Sequence, residues 1–98
     1  MHLECRFFAT YRAIVGQKSL DREFPDGATV AEVLSTLEAE YPDLEAQLLD
    51  EDGTIRPQLS ILKNGRDVTH MDGGATVLED GDSLSVFPPV AGGASEVS

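Results

Sequence analysis

Only one stretch of this chain carries a sustained helical stripe, and the segments around it alternate like strand. Together they restrict the fold to one main helix laid on a sheet. Val30, Val33, Leu34, Leu37 and Tyr41 fall on one face at helical spacing. Thr29 stands where an N-cap belongs, with Glu32 three residues on, the spacing of a reciprocal capping box. Pro42 stops the helix because its ring and missing N–H disrupt the turn. Beyond it, Asp43 to Leu49 predicts a short second helical turn, ended by the acidic loop Asp50-Glu51-Asp52-Gly53.

The flanking segments read as strands. From Leu3 to Arg12 the residues Leu3, Cys5, Phe7, Ala9 and Tyr11 share one face, while Glu4, Arg6, Phe8, Thr10 and Arg12 share the other. That predicts a half-buried strand with Phe8 as a single aromatic on its polar side. Gly16-Gln17 marks a turn, Ser19 to Phe24 a second strand paired with the first as a hairpin, and Pro25-Asp26-Gly27 a break. After the helix, Leu59 to Lys63 predicts a third strand closed by the turn Asn64-Gly65. Thr76 to Leu78 predicts a short extended piece, and Ser83 to Phe87 a last strand ended by Pro88-Pro89. Strand, strand, helix, strand and strand in that order predict an α+β fold of β-grasp type. Its mixed sheet has four to five strands and one main helix on one face, with the first and last strands parallel and adjacent at the centre.

Ninety-eight residues suffice for one core, so a single domain is expected over residues 1–91, followed by a flexible tail over 92–98. Cys5 is the only cysteine, which excludes an intramolecular disulfide and a cysteine-rich metal centre. His2 and His70 have no companions at ligand spacing, so no metal site is expected. The polar, charged N-terminus predicts no signal peptide, and no run approaches the roughly 18 apolar residues of a membrane span. A soluble, cytoplasmic protein is the expectation. Eighteen acidic against seven basic side chains give a net charge of -11, which predicts no nucleic-acid or membrane partner and favours basic partner surfaces. An acidic, lysine-poor surface is also what a salt-loving host would select.

The C-terminal run carries the chemistry. Pro88-Pro89 stiffens the chain as it leaves the last strand, Val90 and Ala91 are small, and Gly92-Gly93 has no side chains at all. A chain end that must enter a narrow nucleotide site needs this profile, since glycine lets the backbone approach phosphates closely.

With Arg6-Phe7-Phe8-Ala9, Gly16, Thr29-Val30, Leu62-Lys63-Asn64-Gly65-Arg66 and Glu79-Asp80-Gly81-Asp82 running to Gly92-Gly93, the chain resembles a known family over residues 1–93. This is the MoaD/ThiS-type sulfur-carrier and ubiquitin-like family, and the acidic composition brings the chain nearest its small archaeal modifier branch. The resemblance implies that an adenylating enzyme of the ubiquitin-activating type uses ATP to activate the carboxylate of Gly93. The acyl group then passes to a target lysine, or takes up sulfur as a thiocarboxylate, as in the small subunit of molybdopterin synthase working with its large subunit. The chain itself would be a carrier or modifier with no catalytic group and no permanently bound cofactor. One departure from the family pattern matters. Ala94 follows Gly93, so that carboxylate is locked in an amide and a processing protease must cut between Gly93 and Ala94. Without that cut the chain would be an interaction module that is never activated.

Two further sets of residues stand out. Phe8, Leu62 and Phe87 are expected to form an apolar patch on the helix-free sheet face, suited to docking a partner. Lys18 and Lys63 are the only lysines and so the only side-chain amines that could accept conjugation, although exposed lysines of no special role are common. Cys5 alternates with Leu3 and Phe7 and reads as a buried thiol, and Asp50-Glu51-Asp52-Gly53 as a solvated turn.

Overall fold

A computed structural model describes residues 1–89. The chain opens with strand β1 (His2–Phe7), helix α1 (Ala9–Val15) and strand β2 (Ser19–Glu23). The main helix α2 (Val30–Glu40) follows, then a 3-10 turn at Pro42–Leu44. Strands β3 (Ser60–Lys63) and β4 (Arg66–Asp67) and two more 3-10 turns at Val68–His70 and Gly73–Ala75 lead to strand β5 (Ser83–Phe87). One sheet forms in the order β2-β1-β5-β3-β4. The central pair β1 and β5 is parallel, with Glu4 opposite Ser83 and Phe7 opposite Val86, and all other pairs are antiparallel. This is the ubiquitin-like β-grasp arrangement.

The helix α2 forms where its stripe and cap require it. Thr29 Oγ1 accepts from the Glu32 N–H while Glu32 Oε1 accepts from the Thr29 N–H, so two orphan donors are satisfied reciprocally. Val30, Val33, Leu34 and Leu37 are fully buried against Leu3, Cys5 and Phe7 of β1, Ile61 of β3 and Leu84 and Val86 of β5. Each such side chain contributes roughly 1.5–3 kcal/mol of apolar burial. Tyr41, the fifth residue of the stripe, is only partly buried.

The expected long first strand is corrected. β1 ends at Phe7, and a two-turn helix rather than a tight hairpin turn joins it to β2. Ala9 adopts φ 53°, which breaks the extended run, and Gly16 at φ 84° ends α1 in the left-handed conformation that glycine adopts freely. The alternation concealed this because Tyr11 is buried either way. It lies an even number of residues from Phe7 and also one helical turn from Val15, its buried neighbour on α1. The second helical turn expected over Asp43 to Leu49 is likewise corrected to the short 3-10 turn Pro42–Leu44. Ala46 at φ 62° interrupts any continuation. At Asn64-Gly65 both residues have positive φ, 51° and 86°, and they close a β3–β4 hairpin whose second strand extends the sheet to five.

Candidate functional site

Strand β5 brings the chain to its C-terminal end. Leu84 and Val86 are fully buried, so Ser83, Ser85 and Phe87 lie on the sheet face away from α2, and Pro88-Pro89 leads off that edge. Gly92, Gly93 and Ala94, like the rest of the expected tail, lie outside the described residues.

The structure brings Phe8 and Phe87 together. Phe7 and Val86 are the last partners of the parallel ladder, so the next residue of each strand leaves the sheet at the same place. Their rings stack with centroids 4.1 Å apart and planes 9° from parallel. Such a pair contributes about 0.5–1.5 kcal/mol beyond its area. Phe8 is not a mid-strand residue pointing to the polar side. It is the extended cap of α1, and its carbonyl accepts from the Tyr11 N–H at 3.1 Å. Leu62 stands on the other side of Phe87. With Gln58, Ser60, Asp67 and Pro88 these two line an open hollow of about 310 Å³. All three patch residues are half-buried, so none is consumed by the core.

Sequence reasoning missed two arginines here. The guanidinium of Arg6 lies 5.8 Å from the centre of the Phe8 ring, and that of Arg12 lies 5.7 Å from it. Arg12 Nε also donates to the Phe7 carbonyl at 3.3 Å. The signal was present but depended on the local structure. Arg12 lies one helical turn from Phe8 only once α1 is recognised. Beside the stem, Tyr11, Ala46, Gln47, Arg56, Gln58, Leu59 and Pro89 line a second open hollow of about 500 Å³.

The two lysines differ. Lys63 is half-buried and pairs with Asp82 at 3.6 Å, so it is not the freely exposed amine that was expected. Lys18 is exposed, makes no ion pair among the described residues, and its carbonyl accepts from the Phe7 N–H at 2.8 Å. Cys5 is fully buried, and burial pushes its thiol up to about 11, which leaves negligible thiolate at neutral pH. In the acidic loop the Asp50 carboxylate accepts from the Asp52 and Thr54 N–H groups, as a turn residue does. No helix among the described residues is long and apolar enough to cross a membrane.

A ThiS family model matches residues 5–93. Small archaeal modifier protein 3 of Haloferax volcanii is 59% identical over 93 residues, covering 95% of this chain and 100% of that protein. Sulfur carrier protein CysO of Mycobacterium tuberculosis is 39% identical over 80 residues, covering 80% of this chain and 83% of its own length. The crystal structure of small archaeal modifier protein 1 from Haloferax volcanii superimposes with a TM-score of 0.80 at 27% identity, covering 94% of this chain and 99% of that one.

Proposed function

The chain belongs to the ThiS family, and on that premise we propose that it is a ubiquitin-like protein modifier activated at the carboxylate of Gly93. The observation that carries this reading is the extent of the family match. It runs through the whole β-grasp domain and stops at Gly93, leaving Ala94 to Ser98 outside. The 59% relative bearing the name of a modifier supports the choice of modifier over other members of the family. A protease first cuts between Gly93 and Ala94. An adenylating enzyme then directs the freed carboxylate onto the α-phosphorus of ATP, expelling pyrophosphate and leaving an acyl-adenylate. A target lysine amine attacks the acyl carbon, AMP leaves, the nitrogen loses a proton, and an isopeptide bond remains. The domain contributes no catalytic group to these steps. It presents the stem and the Phe8, Leu62 and Phe87 surface by which partners hold it. The work is cytoplasmic, where ATP and the activating enzyme are found. Of its two lysines, Lys18 is the better acceptor, since the Lys63 amine is engaged by Asp82.

Sulfur transfer is the second reading, favoured by the match to a sulfur carrier of 39% identity. Here a sulfur nucleophile displaces AMP and a Gly93 thiocarboxylate results, for delivery to a partner such as the large subunit of molybdopterin synthase. Mass spectrometry of the intact protein from its own cells tests both readings. A terminus at Gly93 is expected, with branched diglycine remnants on target lysines after digestion. A sulfur-for-oxygen mass gain at the terminus would establish the carrier. A terminus at Ser98 in every molecule would overturn activation altogether and leave an interaction module.

A further inference from the structure

We propose that Arg6 and Arg12, set around the Phe8–Phe87 stack, make this end of the molecule a docking surface for an acidic partner protein. The partner's carboxylates ring an apolar hollow that receives the two rings. The proposal rests on the carrier or modifier reading and assigns the chemistry of the partner surface. Net charge alone points to basic partners, yet charge is not evenly spread. Strand register places His2 opposite Glu23 and Glu4 opposite Asp21 on the helix-free face, and the His2 N–H donates to Asp80. That is the acidic end, where β5 begins. One step along β1, Arg6 faces only Ser19 and Ser85. Beyond it come Phe8, Phe87, Arg12 and the backbone of Lys18, with Arg56 beside Pro89. Four of the seven basic residues therefore gather where the chain leaves the sheet.

Their bonding supports a role in recognition. In a chain so rich in acids, a guanidinium that served only the fold would be expected beside a carboxylate. Arg22 does this with Glu40, and Lys63 with Asp82. Arg6 and Arg12 are exposed and have no carboxylate partner among the described residues. Ring contact holds each guanidinium in place, while all its donors but Arg12 Nε stay open to a planar, bidentate acceptor. An acidic partner is repelled by most of this molecule and attracted at one end only. It is thereby steered into the orientation that presents the C-terminal stem.

The test uses the chain ending at Gly93, which keeps every residue of the described fold, with the adenylating enzyme of the same organism. ATP–pyrophosphate exchange is followed as the carrier concentration is varied. The double variant R6E/R12E is expected to raise KM about tenfold or more with kcat little changed, since a surface charge pair acts on encounter and docking. The neutral pair R6Q/R12Q is expected to raise it less and to weaken its salt dependence. R66E reverses an equally exposed arginine on β4, at the other end of the hairpin strand, and is expected to leave KM unchanged. Equal KM values for the unsubstituted chain and both double variants overturn the docking surface, as does a shift matched by R66E. No exchange with the unsubstituted chain overturns the modifier reading, and this inference with it.

Discussion

Asp82 enters β5 with its carboxylate almost out of solvent, 7% exposed. Burial pushes its pKa up, but the Asn64 amide at 2.8 Å, the Glu79 N–H at 2.8 Å and the Lys63 ammonium outweigh that effect. The folded-state pKa therefore lies below the ordinary carboxylate value. A lowered carboxylate stabilises the fold above its unfolded-state pKa, about 3.9, and that stability is lost as pH falls through the folded value. Asp82→Ala orphans the donors of Asn64 and Glu79 and is expected to cost about 1–3 kcal/mol at neutral pH. Urea melts taken from neutral pH into strong acid should show the gap between the two proteins closing. A gap that stays constant would mean the charge is not what matters. Ala9 makes a different demand on the sequence. Its φ of 53° ends β1 and aims Phe8 at Phe87, yet nothing in an alanine announces a left-handed backbone. Ala9→Val is expected to destabilise by about 1–2 kcal/mol and Ala9→Gly to be near neutral, because the penalty comes from Cβ. Thermal melts of the two variants would check the difference.

The elements legible in the sequence were those whose local signals agreed with one another. For α2 the stripe, the capping box and Pro42 all set the same limits, and the structure has Thr29 and Glu32 bonded as the spacing required. Thr29→Ala should therefore cost about 1 kcal/mol in chemical denaturation, the usual loss for an N-cap hydroxyl. Thr29→Asn should cost much less, because its side-chain oxygen can accept the same bond. Strand β5 was equally plain, since alternation on one side and a proline pair on the other left its ends no freedom. Helix α1 was not legible, because Leu3, Cys5, Phe7 and Tyr11 satisfy a two-residue period while Tyr11 and Val15 satisfy a helical one. Its short length offers too few turns for the second pattern to win. The candidate site inherited that ambiguity. Phe8, Leu62 and Phe87 could be picked out as apolar residues on polar sides of strands. The stacking of Phe8 on Phe87 and the approach of Arg12 depend on a chain reversal that only α1 supplies.

At the scale of the molecule, charge sets how the fold responds to its solvent. Eighteen acidic side chains are carried by a body with a radius of gyration of 12.9 Å. Among the described residues, only Arg22 and Lys63 of the lysines and arginines form ion pairs. Most carboxylates therefore repel one another across distances comparable with the Debye length, about 10 Å at 0.1 M salt and about 3 Å at 1 M. Screening acts on attraction and repulsion alike, so the sign of the salt effect reveals which dominates. A surface held together by ion pairs loses stability as salt rises, whereas a self-repelling one gains it. Here repulsion is the larger sum. The midpoint of thermal unfolding is expected to rise steadily from low ionic strength to molar salt. The rise should appear with potassium chloride as well as with sodium chloride, because screening depends on ionic strength rather than on a bound ion. Arg22→Gln removes one of the few attractive pairs and should steepen that rise, since the variant begins with more unscreened repulsion. A midpoint that falls with salt in the unsubstituted protein would mean that the two ion pairs, and not the acidic surface, govern its stability.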